Sequence, residues 1–126
     1  GLGDVYKRQP LEMLSLFFPA GLLDYFDPVN HVSQETCFIL FLEEKPSIPQ
    51  EYSHLHLHSK GFFPEIEVQD FPVRGKAVYL RIKRRRWEDP ETGQTYSRDW
   101  NLVASGTRIT AEFGAFLKAL LRQSCG

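Results

Sequence analysis

Cysteine is scarce in these 126 residues: there are two, Cys37 and Cys125, far apart and one of them beside the C-terminus. They supply neither a disulfide framework nor a zinc set, so a reducing compartment is the expectation. A membrane-length apolar run is also missing. Met13–Leu23 follows Lys7 and Arg8 and imitates a signal peptide. Glu12 and Pro19 break it up, and no small-x-small cleavage site follows. There is no Gly-rich phosphate loop, no dinucleotide fingerprint and no evident Ser-His-Asp or Cys-His arrangement. The acidic residues form no local motif of a general acid or a two-metal site. A chain with these gaps offers little to catalysis, and no catalytic residue, cofactor or metal is expected.

The formal net charge is -1, which excludes a uniformly basic nucleic-acid coat protein. Any anion contact must come from a local patch. One stretch supplies it: Arg74 to Trp87, RGKAVYLRIKRRRW, holds seven of the fifteen Lys and Arg residues and no Asp or Glu. It also alternates. Val78, Leu80 and Ile82 share one face of an extended strand, and Ala77, Tyr79, Arg81, Lys83 and Arg85 the other. The stretch reads either as a nucleic-acid contact surface or as a solvated strand whose charges are partly paired with neighbours.

The rest of the chain supplies the setting. Pro10–Phe26 has helical apolar spacing broken at Pro19 and Gly21, and Asp27-Pro28 ends it. Cys37–Leu42 is a continuous apolar run, read as a buried strand with an inert thiol. His54, His56 and His58 alternate with leucines. Three imidazoles along one strand do not converge on a tetrahedral centre without bending, so a polar outer face is expected rather than a metal site.

Lys60-Gly61 reads as a turn. Phe62–Gln69 and Lys76–Lys83 read as a hairpin folding back near Val73, with Glu65 close to Arg81 and Glu67 close to Tyr79. That pairing leaves Lys83–Arg86 less compensated. Glu88–Gly93 is a turn with Gly93 at the left-handed position. Gln94–Asn101 returns antiparallel from it and brings Arg98 near the arginines. Thr110 caps a last helix, whose Phe113, Phe116, Leu117, Leu120 and Leu121 form an apolar face.

These elements make an α+β fold. It is a mainly antiparallel sheet of hairpins with about four to six strands, a helical N-terminal segment and a C-terminal amphipathic helix. Gly1–Gln9, GLGDVYKRQ, resembles a translated sequencing-adapter remnant and is set aside as a non-native extension; residues 10–126 read as a single domain.

Three stretches carry a more specific likeness: PAGLLDYFD, SKGFFPEIEVQDFPVRGKAVYLRIKRRRW and SRDWNLVASGTRITAEFGAFLKAL. They resemble the N-terminal region of ISAon-type insertion-sequence transposases of Bacteroidetes, over roughly Leu11 to Leu121. The order Asp-Phe-Pro, Gly-Lys, Val-Tyr-Leu, Arg-Arg-Arg-Trp is also similar to the zinc-ribbon region of ISL-three-type transposases. There a cysteine pair follows; here Glu88–Gly93 follows instead. The resemblance therefore implies a zinc-ribbon-like region without zinc ligands, held by Trp87, Tyr96 and Trp100.

What the resemblance implies is a non-catalytic DNA-binding domain, cytoplasmic and associated with the nucleoid. It would recognise the double-stranded terminal repeats of the transposon. Its other partner would be a transposase catalytic domain or chain of the metal-dependent acidic-triad kind, absent from this sequence. The candidate DNA-binding residues are Lys83, Arg84, Arg85, Arg86 and Arg98, with Trp87 packing in the hairpin or stacking on a base or sugar. The alternative function is a protein-interaction domain that docks the catalytic chain through the helix Phe113–Leu121 or the aromatic N-terminal segment.

Overall fold

A computed structural model describes residues 18, 19, 21–106 and 111–124. The adapter-like segment, most of the first helical segment and the cap expected at Thr110 lie outside the described residues. In chain order come α1 (Leu22–Tyr25), β1 (Phe26–Ser33), β2 (Cys37–Glu44), a 3-10 turn (Gln50–Tyr52), β3 (His58–Phe62), β4 (Ile66–Val73), β5 (Lys76–Lys83), β6 (Arg85–Glu88), β7 (Thr95–Tyr96), α2 (Trp100–Gly106) and α3 (Ala111–Ser124). The fold is α+β and mainly antiparallel, as expected.

The strands form two sheets: a four-stranded one ordered β1-β2-β5-β4 and a three-stranded one ordered β3-β6-β7. In the larger, the hairpins β1-β2 and β4-β5 lie side by side through a parallel pairing of β2 with β5. Parallel neighbours need a long connection, and here it carries β3 and β4. Period-two alternation decides what each strand buries. Leu40, Leu42, Val68, Val78, Leu80 and Ile82 form the inner face. On it lie Leu22, Phe26, Trp100, Phe113, Phe116, Leu117 and Leu120 in one continuous core. The helical spacing of the last four serves to close this core.

Several local expectations shift. Asp27-Pro28 does not end the first segment. The chain passes straight into β1, where Pro28 sits on an edge strand beside a register shift, a position that tolerates a missing N–H. The His54–His58 alternation is not a strand until His58. Tyr52, Ser53 and Leu55 each donate a backbone bond three residues back, to Pro49, Gln50 and Tyr52, and curl the segment. Lys60 and Gly61 lie inside β3 at an irregularity between Ser59 and Phe62, rather than in a turn.

The β4-β5 hairpin turns at Arg74-Gly75, so Arg81 faces Glu67 and Tyr79 faces Gln69. This is two residues from the expected register. A shift of two keeps the pleat's parity, so the apolar faces are the expected ones.

Trp100 lies on a helix, not on a returning strand. The Asp99 carboxylate accepts the backbone N–H of Asn101 (3.0 Å) and of Leu102 (3.2 Å), an N-cap that starts α2. The Glu88–Gly93 turn forms as expected. Gly93 has φ 75°, its N–H donates to the Asp89 carbonyl (2.7 Å), and the Asp89 side chain accepts the N–H of Glu91 (2.9 Å). Cys37 is half-buried rather than a core thiol, with Sγ 3.1 Å from Gln34 Oε1.

Candidate nucleic-acid interface

β5 and β6 run almost into each other, and the arginine run lies across their junction. The pleat splits it. Arg85 turns inward to Glu44, while Arg84 packs on Phe63 and Arg86 reaches the Lys60 carbonyl.

Inward lies Glu44, the last residue of β2, with 1% of its side chain exposed. Its Oε1 accepts the backbone N–H of Arg85 (2.9 Å), and its Oε2 accepts Arg98 Nε (2.8 Å). Arg85 Nε donates to the Glu44 carbonyl (2.9 Å) and Nη1 to Ser59 Oγ (2.6 Å). Arg98 Nη2 donates to the Ser47 carbonyl (2.7 Å). The Arg98 guanidinium also lies 5.1 Å from the Tyr25 ring centre and 5.8 Å from those of Trp87 and Trp100. One carboxylate thus ties the end of the large sheet to the small one. Burial pushes the Glu44 carboxyl above its ordinary value, and the bonds and charges of Arg85 and Arg98 only partly offset this.

Two of the sequence candidates are therefore occupied within the protein. Arg98 is only 11% exposed and bonded to Glu44 and Ser47. Arg85 is committed to Glu44 and Ser59 and covers Phe62, 4.6 Å from its ring centre. Trp87 is 1% exposed, so its ring has no face on which a base could stack. It pairs with Tyr96 across β6-β7 and sits under Arg98.

Lys83, Arg84 and Arg86 remain half-exposed. Lys83 borders an open depression of about 180 Å³ shared with Glu43 and Glu65, which moderate its charge. Arg84 lies 5.4 Å from the Phe63 ring centre, and Arg86 Nη2 donates to the Lys60 carbonyl (3.3 Å). The Nε atoms of both are buried and have no hydrogen-bond partner among the described residues, and the same is true of Trp87 Nε1. Burial lowers the Arg84 guanidinium from its ordinary value, opposed by the charge of Glu44; an arginine still stays cationic at any physiological pH. β3 adds Lys60, which the sequence pattern does not single out, with Nζ 3.7 Å from Glu88.

Glu44 is not singled out either, although its signal is present. In Cys37–Glu44 the even positions 40, 42 and 44 are the buried ones. The unbroken apolar run masks that alternation.

His54, His56 and His58 are all exposed. Among the described residues no three His, Cys, Asp or Glu side chains group as metal ligands, and no helix is long and apolar enough to cross a membrane. Comparison with protein-family models, with curated proteins and with solved structures finds no match.

Proposed function

We propose that this chain is the DNA-binding N-terminal domain of an insertion-sequence transposase, contacting transposon-end duplex through Arg84 and Arg86 at the β5-β6 junction. The observation that carries this reading is the state of Arg84 and Arg86. Alone in the Arg84–Arg86 run, they have side chains that no other described residue engages through a carboxylate or a side-chain hydroxyl. Their guanidinium groups, with Lys83 and Lys60 beside them, would bind phosphate oxygens and release counterions. Such contacts position the protein on DNA. Sequence discrimination would need base contacts beyond them. The catalytic, metal-dependent part is a separate domain or chain, and the site of action is the nucleoid in the cytoplasm.

Fluorescence anisotropy with labelled duplex across a salt series tests this. Wild-type binding should weaken steeply with salt. Arg84→Ala with Arg86→Ala should flatten the slope of log K against log salt by about 1.8, or about 0.9 for each phosphate left without its arginine. Absence of binding at low salt sinks the reading.

A second reading is an assembly domain that docks the catalytic chain. The route through α3 is closed, because Phe113, Phe116, Leu117 and Leu120 are buried in the domain's own core. What favours it instead is the sheet face opposite the helices, where Ile39, Phe41 and Tyr79 are half-exposed and Val32 is 37% exposed. Co-purification that is insensitive to salt would support it over the DNA reading.

A further inference from the structure

The β4-β5 hairpin closes with a two-residue loop, Arg74-Gly75, between the paired residues Val73 and Lys76. Both loop residues have positive φ, 51° for Arg74 and 79° for Gly75. That is the geometry of the tight hairpin turn whose first position is normally Asn, Asp or Gly. Arginine is a poor occupant, since its Cβ crowds the backbone in the left-handed region. Arg74 is the only non-glycine residue with positive φ among the described residues. It is exposed, and no described residue forms an ion pair or hydrogen bond with it. A long side chain held in this conformation without a compensating contact inside the molecule is a starting point for a hypothesis of function.

The neighbouring Lys76 does not share this freedom. Its Nζ donates to the Gln34 carbonyl (2.8 Å) and lies 4.5 Å from the Phe38 ring centre. The adjacent β1-β2 tip carries Glu35, so the end of the sheet is not a broad basic field. Arg74 is a single exposed cation at the tip of the β4-β5 hairpin, at the end of the four-stranded sheet.

Its distance from the other arginines gives it a role. β5 spans Lys76–Lys83. At about 3.3 Å per residue, Arg74 and Arg84 stand on the order of 30 Å apart. One turn of B-form DNA repeats at roughly 34 Å. We infer that Arg74 is a second phosphate contact, reaching the same face of a duplex about one helical turn from Arg84 and Arg86. This rests on the DNA-binding reading above and adds to it a footprint: two contacts spaced by the length of β5.

The test is Arg74→Asn, which removes the charge and places a favoured residue in the turn. The folded domain should melt no lower than wild type. On a labelled mixed-sequence duplex of about 30 base pairs, the salt slope should fall by about 0.9, the share of one phosphate. On a duplex of about 8 base pairs, too short to bridge the two contacts, variant and wild type should bind alike. An unchanged slope on the long duplex overturns the inference. If Arg84→Ala with Arg86→Ala still weakens binding in that case, the DNA reading stands without the Arg74 contact. If wild type binds no duplex at low salt, both fall.

Discussion

The two sheets are held by different forces. The four-stranded sheet buries a continuous apolar layer under three helices, and the cross-strand charge pair of Arg81 with Glu67 stays on the open face. The three-stranded sheet contributes nothing to that layer. Of its own side chains only Trp87 is fully buried, with Leu57 and Asp89 buried just beyond its strand ends. In place of an apolar core it has guanidinium groups laid on rings, Arg84 on Phe63, Arg85 on Phe62 and Arg98 on Trp87, and the Tyr52–Tyr96 pair at 4.9 Å. It is joined to the large sheet by Glu44. A small sheet without an apolar layer is only marginally stable alone. The same residue type therefore does two jobs within a few positions: Arg85 and Arg98 join the small sheet to Glu44, while Arg84 and Arg86, equally half-exposed, have no carboxylate partner among the described residues.

The largest effect should come from cutting that joint. Glu44→Ala leaves the Arg98 guanidinium buried without its carboxylate, a loss of about 3–5 kcal/mol for a broken buried pair. Hydrogen exchange should show β3 and β6 losing protection far more than β2 and β5. Leu80→Ala is the reference, since Leu80 is 0% exposed in the middle of the large sheet. Its cavity should cost about 2–5 kcal/mol and lower protection in both sheets. Equal loss in both sheets from Glu44→Ala would show that they are one cooperative unit and that they differ in geometry alone.

A gentler change separates charge from hydrogen bonding at the same joint. Because burial raises the Glu44 carboxyl, the folded state holds its proton more tightly than the unfolded chain does. Between the unfolded and folded values the native protein carries the extra proton. This contribution to stability is complete below the unfolded value and is lost as pH rises through the folded one. Glu44→Gln mimics the protonated form. The stability of wild type relative to Glu44→Gln should therefore fall as pH rises from about 4 into the neutral range, measured by urea unfolding at each pH. A difference that grows with pH would mean that Arg85 and Arg98 outweigh the burial cost.

This division is partly legible from sequence. Val78, Leu80 and Ile82 on one face, and Phe113, Phe116, Leu117 and Leu120 on another, can be assigned because a single period governs each. The turn at Gly93 is legible from local composition. The parallel joint of β2 and β5 is not, since nothing local distinguishes a parallel from an antiparallel neighbour. The fate of the arginines is half legible. Alternation predicts that Arg85 parts from Arg84 and Arg86, but it puts Arg85 on the open face with Arg81 and Lys83; the break between β5 and β6 turns it instead to Glu44, which lies 41 residues before it. Arg98 does come near the cluster, as the returning segment after Gly93 predicts. Its carboxylate partner, and hence its burial, depends on a tertiary contact. Trp100 is misplaced by sequence because the hairpin pattern before it outweighs the Asp99 cap signal.

The smallest expected effect completes the contrast between the sheets. Arg81 Nε lies 3.2 Å from Glu67 Oε1, as close to ideal as many buried pairs, yet the two side chains are 40% and 48% exposed. Water and salt screen such a pair, and holding two long side chains in one geometry costs entropy. A double-mutant cycle of Arg81→Ala and Glu67→Ala should give a coupling of about 0.2–1 kcal/mol that shrinks as salt is raised. The corresponding cycle on Arg98 and Glu44 should give a larger coupling that salt hardly changes, because that pair is shielded from solvent. If the two cycles match in size and salt response, burial is not what separates the arginines that build this domain from those proposed as the DNA contact. The choice of Arg84 and Arg86 as the contact would then lose its physical basis.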